Sequence, residues 1–265
     1  MNIRDKIIIV TGGAHGIGRA MCERFASEGA RHVVVADLDE STSRNVASQI
    51  NGTALLCDVS CEADIQEIVS HTLDVHGHID LFCSNAGITT KGGAEVPDAD
   101  WQRLWNVNVM AHVYAARAVL PSMLERGEGY LLHTSSAAGL MTEIGSAPYS
   151  VTKHAVIAFA EWLSIHYQKK GLRISCLCPA GVATDFLDLD DPIHQFLHVS
   201  SVPPEDVADA VVRGLADERF LIIPDQHLPV QEFFAYKGED YDRWLKNFAR
   251  INEKLERIKS RNSSS

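Results

Sequence analysis

Several function classes are excluded by what this chain has little of. Lys and Arg number 24 against 35 Asp and Glu, for a net charge of -11, so no basic surface for a nucleic-acid backbone is expected. No apolar run is long enough to cross a bilayer. The start, "MNIRDKIIIVTGG", carries charges on either side of a very short apolar run that leads into a glycine turn; it reads as a first strand and not as a signal peptide. The six cysteines, Cys22, Cys57, Cys61, Cys83, Cys176 and Cys178, contain no Cys-x-x-Cys pair. Most sit in apolar runs such as "LFCSNAG" and "RISCLCP", where free cysteine behaves as a small buried hydrophobe. The one local concentration of histidine, "HTLDVHGH", matches no usual ligand spacing, so no metal is expected. No Gly/Ser-rich linker and no repeat divides the chain. The expectation is a soluble, cytoplasmic protein with neither a nucleic-acid nor a membrane partner.

What is present is an alternation. Short β-rich runs, "KIIIVTG", "HVVVAD", "TALLCDV", "IDLFCSNAG", "YLLHTSS", "LRISCLCP" and "RFLIIP", are separated by segments of helical period near 17–28, 40–50, 62–75, 99–126, 149–170 and 204–216. Nearly continuous Val/Ile/Leu strands alternating with helices imply β-α-β units, hence a doubly wound, mostly parallel α/β sheet of about seven strands with helices on both faces. A chain of 265 residues suits one large domain with a sizeable core, expected here over residues 1–260. Two segments stand outside the alternation. Residues 184–203, "TDFLDLDDPIHQFLHVSSVP", mix apolar and acidic residues without a clear period, and a connection of that length reads as a substrate lid. The tail 230–260 places Tyr241, Trp244, Leu245, Phe248, Ile251, Leu255 and Ile258 at helical spacing, an amphipathic helix that packs on its own domain or on another subunit. Residues 261–265 are expected to be disordered.

The first strand ends in "TGGAHGIGRA". Gly12, Gly16 and Gly18 permit a tight turn into a helix whose free N–H groups and positive dipole end suit a pyrophosphate. Ala14, His15 and Ile17 complete that expected cofactor-binding stretch. Nineteen residues after Gly18 the second strand ends at Asp37. A carboxylate there can accept from both adenosine ribose hydroxyls and repel a 2′-phosphate. With Leu38 and Asp39 following and no adjacent Arg, NAD is favoured over NADP. The same Asp could instead only cap a loop or helix.

The residues at this point resemble the short-chain dehydrogenase/reductase family, in its main single-domain subgroup with a Rossmann-type fold. The match runs from the first strand to about Thr184. The family's Thr-Gly-x-x-x-Gly-x-Gly stands as Thr11 to Gly18, and its adenine-contacting Asp-Val as Asp58 and Val59. Its Asn-Asn-Ala-Gly turn is "SNAG", with Ser84 departing and Asn85, Ala86 and Gly87 matching. Its helix asparagine maps to Asn108, and its Tyr-x-x-x-Lys to Tyr149 and Lys153 in "SAPYSVTKHAV". The later Pro-Gly-x-Val-x-Thr is "PAGVAT", where Ala180 departs from the family's glycine; the resemblance implies that Val182 and Thr184 lie beside the nicotinamide amide and that Pro179 is a cofactor-binding residue. Of the neighbouring serines in "HTSSAAG", the family's thirteen-residue spacing before the tyrosine selects Ser136 over Ser135. Singly, each has a structural use: Ser136 as a strand-end cap, Asn108 as a helix residue holding a buried carbonyl.

The resemblance implies an NAD-dependent oxidoreductase that interconverts a secondary alcohol and a ketone. Tyr149 would be general acid/base, Ser136 the donor to the substrate oxygen, Lys153 the cation beside the phenol and a ligand of the nicotinamide ribose, and Asn108 the holder of a relay water. Free tyrosine titrates near ~10, and Lys153 together with the oxidised cofactor is expected to lower that value by about two units. A homodimer or homotetramer is implied as well. Leu140, Met141, Ile144, Phe186, Leu187 and Phe196 point to a small to medium, largely apolar substrate. An enoyl reductase spaces its Tyr and Lys more widely, and an epimerase carries a larger C-terminal domain. The alternative from another class is a non-catalytic NAD(H)-binding interaction or regulatory module.

Overall fold

The computed structural model describes residues 1–184 and 201–262. Strands β1 (Ile7–Thr11), β2 (His32–Asp37), β3 (Thr53–Leu56), β4 (Leu81–Ser84), β5 (Gly129–Thr134), β6 (Leu172–Leu177) and β7 (Leu221–Ile222) form one seven-stranded sheet in the order β3-β2-β1-β4-β5-β6-β7. Every pairing is parallel. β1 and β5 are buried at all positions, as strands covered on both faces must be. On one face Met21, Cys22 and Phe25 of α1 (Gly16–Ser27) pack with Val46 of α2 (Glu40–Gln49) and Val207, Val211 and Leu215 of α8 (Pro204–Ala216). On the other, Ile65, Ile68 and Val69 of α3 (Glu62–His76) share a core with Val119 and Met123 of α5 (Ala111–Arg126) and Ile157 and Ala160 of α7 (Ala147–Tyr167). Full burial of side chains such as Phe25 and Ile68 contributes about 1.5–3 kcal/mol each. The Rossmann-type α/β reading therefore holds.

The strand order reverses between β1 and β4. Connections leave those two strands in opposite directions, which opens a crevice at the carboxyl ends of the sheet. Five of the six cysteines are buried and all six are free thiols. The histidines of "HTLDVHGH" go separate ways: His76 packs on the His32 ring at 4.4 Å between centroids, while His78 Nε2 lies 3.2 Å from Asp80.

Two expectations of local structure need amendment. The helix expected over 99–126 is α4 (Asp98–Trp105), then a π-helical turn (Asn106–Met110), then α5. Four of the five residues of "NVNVM", the two Asn and two Val, are weak helix formers, and the Asn108 amide is drawn sideways to the main chain of Ile88, which is the kind of insertion that widens a helix locally. The tail forms two helices rather than one, α9 (Leu228–Glu239) and α10 (Tyr241–Asn262); Val230 joins the core, and in α10 Trp244 is 3% exposed whereas Leu245 is 48% and Ile251 41% exposed. Residues 185–200 of the expected lid, with Phe186, Leu187 and Phe196, lie outside the described residues. Its two ends are joined, since Ala183 N–H donates to the Val202 carbonyl at 2.9 Å and Val202 N–H to that of Gly181 at 3.1 Å. No described helix is long and apolar enough to cross a membrane.

Candidate active site

A cavity of about 770 Å³ fills the crevice. Its cofactor-side wall is the turn after β1. Gly12 adopts φ 66°, and a Cβ there would stand 2.9 Å from the Ala86 Cα, so only glycine lets the turn meet the loop after β4. Thr11 joins the two: its hydroxyl accepts from Asn85 N–H at 3.0 Å, and Asn85 Nδ2 donates to the Thr11 carbonyl at 3.1 Å. Asn85 Oδ1 in turn accepts from Thr134 at the end of β5, at 3.1 Å. One side chain thus fastens three strand ends.

Asp37 lines the cavity with its carboxylate aimed by two main-chain donors, Ala14 N–H on Oδ2 and Asp39 N–H on Oδ1, each at 3.0 Å. Oxygens held in this way keep lone pairs for ribose hydroxyls. Asp39 instead caps α2 through Thr42 N–H at 3.0 Å and takes His15 Nε2 at 3.1 Å; its hydrogen bonds from Thr42, Ser41 and His15 hold its carboxyl far below the usual range. Asp58 and Val59 line the same cavity, with Asp58 Oδ1 accepting from Ser60 N–H at 2.9 Å. Gly16, Ile17, Gly18, Ala86, Gly87, Pro179, Val182 and Thr184 line the same cavity. These residues form a continuous cradle whose glycines, anion-facing helix start and oriented carboxylate fit a dinucleotide.

At the other end, Tyr149, Lys153 and Ser136 share the wall. Ser146 caps α7 by accepting from Tyr149 N–H at 3.2 Å, with Pro148 in the first turn, so the helix begins just where the tyrosine must face inward. One turn on, the Lys153 ammonium is 5.5 Å from the centre of the Tyr149 ring and donates to the Thr134 carbonyl at 3.1 Å. Burial pushes Lys153 down to about 8. Tyr149 moves opposite to the expected direction: burial first, and the charge of Glu143 second, push its pKa up, while a hydrogen bond with Ser136 acts the other way. Desolvation of the phenolate is the largest of these causes.

Asn108 is fully buried and does not line the cavity. Its Oδ1 accepts from Ile88 N–H at 2.8 Å, and its Nδ2 donates to the Ile88 carbonyl at 2.9 Å and the Thr152 hydroxyl at 3.1 Å. Both amide donors are therefore spent on structure. Gly87 lies between it and the lysine: a Cβ there would be 3.3 Å from Lys153 Nζ and 3.4 Å from Asn108 Oδ1.

Sequence reasoning missed three contributors. Glu143 is the one carboxylate in the apolar stretch after Ser136, and it lines the cavity. Thr134 supplies the carbonyl that holds Lys153 and carries no motif. His227 accepts from Ala180 N–H at 3.0 Å on Nδ1, and its Nε2 lies 3.1 Å from the Gly181 carbonyl; this clamps the turn where Ala180 replaces the family's glycine. Of the residues expected to contact substrate, Met141 lines the cavity, Ile144 does not, and Leu140 is 3% exposed and belongs to the core.

The model of the short chain dehydrogenase family matches residues 6–192. A 1-deoxy-11-beta-hydroxypentalenate dehydrogenase of Streptomyces exfoliatus is 35% identical over 238 residues, 84% of each chain. Dehydrogenase/reductase SDR family member 4 of Bos taurus is 30% identical over 199 residues, 72% of this chain and 71% of its own. The crystal structure of a short chain dehydrogenase/reductase from Burkholderia phymatum in complex with NAD superposes with a TM-score of 0.83 at 26% identity, covering 91% of this chain and 96% of that one. The chain belongs to the short-chain dehydrogenase/reductase family of oxidoreductases.

Proposed function

We propose that this chain, as a single catalytic domain, interconverts a secondary alcohol and a ketone with NAD, on a small to medium, largely apolar substrate. The observation that carries the reading is the convergence of Ser136, Tyr149 and Lys153 on one wall of a cavity whose far end presents Asp37. Bound NAD supplies the carbon that takes the hydride and, when oxidised, a positive charge near the phenol.

In the reducing direction Tyr149 is ready as an acid, because its raised pKa keeps the phenol protonated at neutral pH and poised to donate to the ketone oxygen. In the oxidising direction the phenolate takes the alcohol proton, and the Lys153 ammonium, 5.5 Å from the ring centre, favours that form. Ser136 donates to the same substrate oxygen as charge develops on it. Lys153 would also hold the nicotinamide ribose hydroxyls, and Asn108 keeps the Ile88 main chain and Thr152 in place. Asp37 disfavours a 2′-phosphate by like charge, which supports NAD over NADP. Ile88, Val107, Ala138 and Met141 give the substrate end its apolar character. A homo-oligomer follows from family habit.

The test is nicotinamide absorbance during turnover, with NAD and NADP in parallel, over a panel of apolar secondary alcohols and ketones. Turnover with NAD is the expected result. NAD binding without turnover of any compound would favour a non-catalytic binding module, and a preference for NADP would overturn the role given to Asp37.

A further inference from the structure

One cation ties the substrate-side loop to the C-terminal helices. Lys237, in the last turn of α9, is partly buried. Its Nζ donates to the Leu140 carbonyl at 2.9 Å and the Met141 carbonyl at 3.3 Å. A third contact, at 3.5 Å, is to His154 Nε2. Because His154 Nδ1 lies 2.8 Å from the Ser150 carbonyl, Nδ1 carries the proton and Nε2 is the acceptor for the ammonium. Two rings complete the enclosure, with Nζ 4.9 Å from the Trp244 ring centre and 5.5 Å from that of Tyr241. Desolvation lowers the pKa of Lys237; carbonyls, imidazole and ring faces offset that cost.

The place of these contacts matters more than their number. Leu140 and Met141 close the one-turn helix α6 (Ala137–Leu140), whose last carbonyls have no partner within it. Ser136 starts that turn and accepts from Ala138 N–H at 3.1 Å, while Met141, Thr142 and Glu143 continue it along the cavity wall. On the opposite side His154 adjoins Lys153 on α7. Lys237 therefore touches both the loop that bounds the substrate end and the helix that carries Tyr149 and Lys153, from a point 83 residues along the chain from His154.

We propose that Lys237 is a positioning residue for the substrate: it holds the 137–143 loop at a fixed distance from Tyr149, so that the C-terminal helices set the shape of the substrate end. This rests on the functional reading above. Nothing in the proposal touches the cofactor end, which lies across the cavity.

The experiment compares Lys237→Met, which keeps the aliphatic stem, with Lys237→Arg, which keeps the charge, N–H donors for the two carbonyls and the contact with the Trp244 ring. In Lys237→Met the KM for an alcohol that the wild type oxidises is expected to rise about tenfold, with a smaller change in kcat, as loosened substrate orientation predicts. NADH affinity, read by nicotinamide fluorescence, stays the same, and Lys237→Arg recovers most of the KM. Hydrogen exchange gives a readout independent of turnover: amides of 137–143 exchange faster in Lys237→Met and at the wild-type rate in Lys237→Arg. Unchanged exchange in that loop, or a fall in melting temperature with KM unmoved, overturns the proposal. If the wild type turns over no alcohol or ketone, the functional reading fails by itself, and the exchange rates alone then decide whether Lys237 holds the loop.

Discussion

Ser135 and Ser136 are neighbours in the chain, yet their hydroxyls serve different parts of the molecule. Ser135 Oγ is buried and donates to the Lys153 carbonyl at 2.8 Å; Ser136 Oγ faces the cavity, bonds the Tyr149 phenol, and is 3.5 Å from the Pro179 carbonyl. Ser136→Ala is expected to lower kcat roughly 100- to 1,000-fold with the fold intact, the usual consequence of removing a donor aimed at developing charge. Ser135→Ala leaves a buried carbonyl without that partner and costs about 1–3 kcal/mol of stability, with turnover falling far less. Steady-state rates and urea melts on the two variants separate the roles; equal rate losses would contradict the assignment.

Tyr149→Phe removes the hydroxyl proposed as acid and base while keeping the ring. Turnover should fall roughly 100- to 10,000-fold, with NAD affinity nearly unchanged. A variant of normal rate would end the proposed mechanism.

Asp37→Ala removes oxygens already aimed by Ala14 and Asp39. Loss of charge-assisted bonds to the ribose should weaken NAD by about tenfold or more, with NADP losing little or gaining. The ratio of kcat/KM for the two cofactors reads this directly, and an unchanged ratio would make Asp37 structural only.

Glu143→Gln tests the electrostatics of the phenol. The Glu143 charge is the second cause, after burial, of the raised Tyr149 pKa. Without that charge the phenolate forms at lower pH, so the limb of alcohol oxidation that rises with pH should move to lower pH. A pH profile of kcat/KM that stays in place would show that the two groups are not coupled.

His112 and His133 form a fully buried pair, Nδ1 to Nδ1 at 3.0 Å, and neither Nε2 has a partner among the described residues. Burial holds both neutral, His133 down to about 4. In the unfolded chain histidine binds a proton from about pH 6.5 downward, so below that pH the unfolded state holds more protons and stability falls as pH falls. His133 alone accounts for up to about 3 kcal/mol by pH 4. Denaturant melts at pH 7.5 and 5.0 should show the loss in the wild type and a smaller one in a His112→Leu, His133→Leu double variant. Parallel behaviour would place the acid sensitivity elsewhere.

The sequence by itself determined the sheet and the glycine turn, and placed Asp37 at a strand end and Tyr149 and Lys153 one turn apart on a helix, while the chemical role of that pair came from the resemblance. These depend on spacing within one element or across one turn: period two in strands, 3.6 in helices, four residues from Tyr149 to Lys153. The choice between Ser135 and Ser136 came from resemblance alone, and a direction for each hydroxyl appears only when β5 lies against α7. The π turn at Asn106–Met110 was not legible, because its cause is the Ile88 main chain, distant in sequence. Glu143, His227 and Lys237 carried no motif, since each acts on partners brought close by folding. The direction of the Tyr149 shift likewise belongs to tertiary structure: neighbours along the helix predict a lowered value, and only three-dimensional packing shows how much water the phenol has lost.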